Sequence, residues 1–155
     1  MIIYTTSLDG VTAERLHGFF QDWQNPPTAE THLRILKGSS HVVLALDDQT
    51  GNVVGFITAL TDGVLSATIP LLEVLPAYQG RGIGEQLVRR IVDCIGDLYL
   101  IEFVCEPNMQ PFYTRLGMKP SSGMMKRNMK RQRGTEPQEG QPGAPPQTNT
   151  LKKTG

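Results

Sequence analysis

Gly80, Gly82 and Gly84 alternate in the phrase YQGRGIGEQLV. An apolar run ending at Pro76 precedes them, and a run apolar at helical spacing, from Ile83 to Ile95, follows. Glycine lets a backbone approach a ligand closely, and a helix N-terminus offers unpaired N–H groups and the positive end of a dipole. The chemistry this spacing predicts is anion binding, with a phosphate as the expected guest. Two carboxylates stand out for another reason: Glu73 sits inside LLEVL and Glu102 inside LYLIEFVC. An apolar setting disfavours the charged form and raises the pKa of a carboxyl toward values useful for moving protons.

The elements that must position these residues follow from pattern and punctuation. Residues 2–6 are β-branched and aromatic and predict a first strand. Leu16, Phe19, Phe20 and Trp23 recur at helical spacing behind a possible cap at Thr12, and Asn25-Pro26-Pro27 breaks that run. Thr28 opens a second helix carrying Leu33, Ile35 and Leu36, closed by Gly38. Strands over 41–46 and 53–60 flank the turn cluster 47–52 as a hairpin, and 64–75 returns as a long third strand. After the helix of 83–95, the run 98–105 reads as a buried strand parallel to its predecessor. A short helix follows Pro107 and stops at Gly117, and 118–128 is expected as a final strand. The resulting class is α/β (α+β): a mixed, mainly antiparallel twisted sheet of about six to seven strands, with helices on both faces.

Three phosphate motifs compete for the glycine stretch. A P-loop needs Gly-Lys-Ser/Thr, which is absent. A dinucleotide fingerprint needs glycine at position 85, where Glu85 stands, and three meandering strands upstream do not suit a fold that begins at its first strand. What fits is Gln-x-x-Gly-x-Gly at Gln79, Gly82 and Gly84. Here the chain resembles the GNAT superfamily of acetyl-coenzyme A-dependent N-acetyltransferases. LEVLPAYQGRGIGEQLVRRI is similar to that family's acetyl-CoA signature, and PFYTRLGM, from Pro111 to Met118, to its second recurrent phrase. The resemblance spans roughly residues 2–128, with specific motifs in 71–92 and 107–118.

The resemblance implies a coenzyme A pyrophosphate cradled by Gln79, Gly80, Arg81, Gly82, Ile83 and Gly84. It implies a pantetheine arm inserted between the strands at 64–75 and 98–105, paired with the backbone of Val74 and Leu75. Tyr113 corresponds to the family's tyrosine beside the coenzyme sulfur, where a phenol could protonate the departing thiolate. Asn108 lies five residues before that tyrosine, whereas many relatives place an asparagine seven before. A general base must deprotonate the acceptor ammonium, and Glu73 and Glu102 are the two candidates, Glu73 leading. Phe20, Trp23 and Pro26-Pro27 are expected acceptor lining. His32 and His41 read as surface or capping residues, and Cys105 has no basic neighbour in sequence to make it a nucleophile.

Lys and Arg together number 15, as do Asp and Glu, so the net charge is zero. That balance gives no reason to expect nucleic acid or an anionic membrane as a partner. Cys94 and Cys105, each in an apolar run, read as core thiols in a reducing compartment. With neither a leader-like start nor a run of membrane-spanning length, the expected place is the cytoplasm. Residues 1–130 are expected as one acetyltransferase domain and 131–155 as a disordered tail rich in proline, glycine and glutamine. The basic cluster Lys126, Arg127, Lys130, Arg131 and Arg133 is expected to be a solvated end of the fold. The reading is an N-acetyltransferase, monomer or homodimer. It uses acetyl-CoA and no metal, and acts on a primary amine, a small molecule being favoured over a protein amine. The alternative is a non-catalytic acyl-CoA sensor or interaction module.

Overall fold

A computed structural model of the chain describes residues 1–136; residues 137–155, most of the expected tail, lie outside the described residues. Five strands form one sheet in sequential order: β1 (Ile2–Thr5), β2 (His41–Asp47), β3 (Val53–Thr61), β4 (Ser66–Val74) and β5 (Leu100–Glu102). β1 to β4 pair antiparallel and β5 joins β4 in parallel, through Ser66–Leu100, Ala67–Ile101 and Thr68–Glu102. The mixed, mainly antiparallel class holds, with five strands among the described residues where six to seven were expected. The segment 118–128, read as a last strand, contains none. Pro120 and Gly123 break it, and no strand edge pairs with it.

Alternation along the strands sends apolar side chains to both faces. One face packs Val43, Ala45, Ile57 and Ala59 against Ile83, Leu87, Val88, Ile91 and Ile95 of α2 (Ile83–Ile95). A helix can lie this close because Gly55 is beneath it; a Cβ there would meet Leu87 Cδ1 at 3.2 Å. The other face packs Val42, Leu44 and Phe56 against Leu36 of α1 (Ala29–Gly38) and against Leu16, Phe19 and Phe20. α1 starts where Thr28 accepts the N–H of Thr31, just after Pro26-Pro27. The periodic run before it is not an α-helix: only Ala13–Arg15 makes a 3-10 turn. Gly10 and Gly18 adopt positive φ, and so does Phe20, at 61°. Its apolar spacing reflects a loop that buries Leu16, Phe19 and Phe20 without helical bonds.

β4 carries the one irregularity that makes a cleft. Between Thr58 and Leu60 on β3 the register shifts, so three steps on β4 face two on β3 and the extra residue falls at Ile69–Pro70. A proline inside a strand is tolerated at such a bulge. Pairing with β5 ends before it, at Thr68–Glu102. Beyond that point β4 and the chain after β5 separate.

Candidate active site

The separation opens a cleft of about 500 Å³. Ile69 to Glu73 line one side, Phe103 to Glu106 with Met109 and Tyr113 the other, and Phe20, Trp23 and Phe56 close one end. The backbone of β4 is oriented by the bulge. Leu75 N–H donates to Val54 O at 2.9 Å and Phe56 stands opposite Glu73, so the main-chain groups of Glu73 and Leu75 face β3. Alternation turns those of Leu72 and Val74 toward the cleft, where β5 offers no partner. Val74 O accepts Nε2 of Gln79 at 2.9 Å. Leu75 is engaged on both sides, because its carbonyl accepts the N–H of Tyr78 at 2.8 Å. Of the two residues expected to offer backbone, Val74 keeps its N–H toward the cleft while Gln79 takes its carbonyl, Leu75 has both groups engaged, and Leu72 joins Val74.

Beside the cleft, next to Val74 and Phe112, the glycine stretch enters α2. Gly80 and Gly82 hold φ of 73° and 76°, the left-handed region that a side chain rarely adopts, and nothing lies within 4 Å of where a Cβ would project. Gly82 is the residue before α2, and no side chain caps the first N–H groups of that helix. Gly84 has no such φ; it lies between Val74 and the Phe112 ring, 3.9 and 3.7 Å from its missing Cβ. The cradle is fixed from outside. Tyr78 donates its hydroxyl to Asp47 Oδ2 at 2.6 Å, tying the stretch to the end of β2, and Arg81 stacks over the Tyr78 ring while bonding Ala77 O at 3.0 Å. Ile83 is buried under the cradle and anchors the helix. A site of open N–H groups and empty space over two left-handed glycines fits a pyrophosphate.

Tyr113 belongs to α3 (Gln110–Thr114). Its ring packs edge-on against Phe103, at 3.9 Å between centroids, and Phe112, at 4.8 Å. Among the described residues the hydroxyl has no hydrogen-bond partner. Burial, aided by neighbouring Cys105, pushes its pKa up to about 12, so the phenol holds its proton at neutral pH. Glu73 is half-buried on β4, and both its oxygens accept the N–H of Phe20, at 2.9 and 3.1 Å. Burial raises its pKa above the usual carboxylate range, the Phe20 bond opposes that, and Asp22 adds to it. Phe20 can aim that N–H because it adopts positive φ, a strained conformation for a bulky residue. The strain is held by packing: the Phe20 ring contacts Trp23, His32 and Phe56.

The structure brings Glu73 and Tyr113 to one cleft and leaves Glu102 out of it. Glu102 is exposed on β5 opposite Thr68, roughly 16 Å along the strand from Glu73, in a separate hollow with Asp62 and Ser66. Asn108 is exposed in a 3-10 turn, Pro107–Met109, and does not line the cleft. Phe20 and Trp23 do line it, whereas Pro26 and Pro27 do not. His32, read as a surface or capping residue, is instead 1% exposed among Phe19, Phe20 and Phe56, with both ring nitrogens unpartnered, and burial lowers its pKa to about 4. The reading missed Met125 and Arg127, which line the cleft from the segment expected to be a strand and a solvated basic end. Pro70 within an apolar run was the available sign of the bulge.

The sheet opens between two parallel strands, with a glycine-headed helix beside the opening. The comparisons with known proteins make the class specific. The Acetyltransferase (GNAT) domain family matches residues 38–120, and the chain belongs to this family of acetyltransferases. A candidate acetyltransferase from Deinococcus radiodurans shares 44% identity and a TM-score of 0.85 over 87% of this chain and 94% of that one. A GNAT-family acetyltransferase from Streptococcus pneumoniae aligns at 29% identity and a TM-score of 0.67, over 83% and 98% of the two chains. The chloroplastic GCN5-related N-acetyltransferase 3 of Arabidopsis thaliana is 39% identical over 74 residues, 46% of this chain and 31% of that protein. An uncharacterized N-acetyltransferase of Pyropia yezoensis is 27% identical over 61% of this chain and 56% of its own length. The chain thus spans about a third to about half of these curated relatives.

Proposed function

We propose that the protein transfers the acetyl group of acetyl-CoA directly to a primary amine, a small molecule being favoured over a protein amine. The observation that carries this reading is that Glu73 and Tyr113 line one cleft, with the Gly80–Gly84 cradle beside it through the packing of Gly84 between Val74 and Phe112. The N–H groups at the start of α2, with Arg81 beside them, hold the pyrophosphate. The main chain of Leu72 and Val74 orients the pantetheine arm. When bound, the coenzyme supplies an activated thioester to which the amine nitrogen adds as the carbon–sulfur bond breaks. Glu73, ionised and fixed by Phe20, accepts the proton that the acceptor ammonium must lose. The Tyr113 phenol, protonated at neutral pH, delivers a proton to the departing sulfur, so that free thiol leaves, and the second proton shed by the nitrogen as it becomes an amide restores the phenol by way of solvent. Cys94 and Cys105 are free thiols, which supports a reducing compartment such as the cytoplasm.

The test is an acceptor-amine screen with acetyl-CoA that reads thiol release, run beside Tyr113→Phe. Amine-dependent release by the wild type, falling about a hundredfold in the variant with coenzyme affinity retained, is the expected result. A wild type that binds the coenzyme and releases no thiol with any amine would identify a sensor and sink the transferase reading.

A further inference from the structure

The segment after α3 crosses the cleft as a strap. At one end Met118 N–H donates to Tyr113 O at 3.2 Å. At the other, Gln132 Oε1 accepts Asn25 N–H at 2.8 Å, and Arg34 donates to Thr135 O at 3.0 Å. Between these anchors Met125 and Arg127 line the cleft, while Met124 is wholly exposed. Met125, itself 54% exposed, and Arg127 two residues on reach the opening, the spacing at which an extended chain presents one side. Of the basic cluster at 126–133, Arg127 alone lines the cleft. Among the described residues its guanidinium makes no ion pair; the two pairs present are Met1–Asp48 and Glu85–Arg89.

Around the acceptor end, Phe20, Trp23, Leu71 and Met125 give apolar and aromatic walls, with Glu73 on one of them and Arg127 on the strap. Glu106, exposed on the cleft's other side, adds a second acid but no second cation. A simple alkylamine would satisfy Glu73 and leave the exposed Arg127 guanidinium to solvent, taking no part in recognition. A guanidinium presents a planar fork of donors that matches a carboxylate, and such charge-assisted bonds are the stronger kind. We infer that the acceptor is an amine that also carries a carboxylate on an apolar or aromatic body, an amino acid in the broad sense, with Arg127 its specificity-determining residue. This rests on the acetyl-transfer reading above and names the substrate class for the same site.

Matched pairs test it: L-phenylalanine against phenethylamine, L-tryptophan against tryptamine, and aminohexanoate against hexylamine, each with acetyl-CoA. The two aromatic pairs place the carboxylate close to the amine and the third places it far, so the reach from Glu73 to Arg127 is sampled. The expected result is a preference in kcat/KM of about tenfold or more for the carboxylated member of at least one pair. Arg127→Met should shrink that preference to about twofold through acceptor KM, with partial rescue by Arg127→Lys and no change in the KM for acetyl-CoA. Equal or faster use of the plain amines by the wild type would overturn the inference and leave the transferase standing. So would a preference that survives Arg127→Met, or a variant whose defect lies in the KM for acetyl-CoA. Thiol release with none of the six compounds would overturn the inference, and the broader amine screen then decides whether the transferase reading falls with it.

Discussion

The two ends of the cleft are built of different material. At the proposed coenzyme end the groups on offer are main chain: the first N–H groups of α2 and the groups of Leu72 and Val74 turned inward by the bulge at Ile69–Pro70. Side chains there are chiefly absent, as at Gly80 and Gly82, or act from outside, as Tyr78 does by gripping Asp47. At the proposed acceptor end the groups on offer are side chains, Glu73 and Arg127, held by segments far apart in sequence: the loop around Phe20, β4 and the strap at 118–128. A backbone-built site suits one invariant shape, such as the proposed coenzyme, and a side-chain-built wall can change its ligand by changing a few residues. Substitutions at the two ends should therefore damage different parameters.

The largest effect expected from breaking one end alone is that of Glu73→Gln. The amide keeps an oxygen for the Phe20 N–H, so the strained loop retains its anchor, while the proton acceptor is gone. We expect kcat to fall about a thousandfold with acetyl-CoA affinity unchanged, read by steady-state kinetics and calorimetry. The wild-type rate should rise with pH through a value above that of an ordinary glutamate, because burial raises the Glu73 pKa and only its ionised form accepts a proton. Tyr113, protonated up to about 12, imposes no loss on the alkaline side below that. A variant that loses coenzyme affinity instead would show that the two ends are not separable.

The same contrast decides what could be read from residues alone. Gly80, Gly82 and the amphipathic run from Ile83 announce their site locally, because a left-handed turn and an open helix start impose residue types within a few positions of each other. The sheet core was legible for a similar reason: Val42 to Ala45 and Val53 to Ala59 carry the alternation of a two-faced strand. The acceptor wall was not. Nothing in the sequence says that Phe20 adopts positive φ to meet a carboxylate 53 residues away. The spacing of Leu16, Phe19, Phe20 and Trp23 imitates a helix, but what it records is burial, which a loop folded on an aromatic cage satisfies equally. As carboxylates in apolar runs Glu73 and Glu102 read alike, with Glu73 leading on the resemblance, and in the fold the end of β5 pairing and the exposure of Glu102 separate them.

His32 sharpens the comparison from the floor of the acceptor end. Its ring is caged by Phe19, Phe20 and Phe56, and its pKa of about 4 lies below the ordinary 6.5 because burial disfavours the cation. The unfolded chain takes up this proton near 6.5 and the folded chain only near 4. The folded state thus keeps its full stability above 6.5 and loses it as pH falls through that window. The loss amounts to about 3 kcal/mol by pH 4. His32→Leu leaves no hydrogen bond broken, since neither nitrogen has a partner. Denaturant unfolding at neutral and acid pH should show the wild type weakening by about that amount from this group and the variant escaping it. Equal acid sensitivity in both proteins would show that the caged ring takes up a proton as easily folded as unfolded.

The smallest effect belongs to the coenzyme end, where a single backbone angle is at stake. Gly82 holds φ at 76° with open space around its missing Cβ, so a side chain meets no clash and the whole penalty is conformational. Placing a branched residue in the left-handed region costs roughly 1–2 kcal/mol, which Gly82→Val either bears or relieves by turning the first N–H groups of α2 away from the ligand. Borne, the new side chain fills the open space where the pyrophosphate would lie, and relieved, the N–H groups turn away. Either route weakens acetyl-CoA binding by about tenfold or more by calorimetry, and leaves unfolding by denaturant within about 1–2 kcal/mol of the wild type. The preference between carboxylated and plain amines should persist, because Glu73, Phe20 and the strap do not touch residue 82. Unchanged affinity in Gly82→Val would remove the cradle from the coenzyme site, and a shifted acceptor preference would mean that the two ends share more than the coenzyme between them.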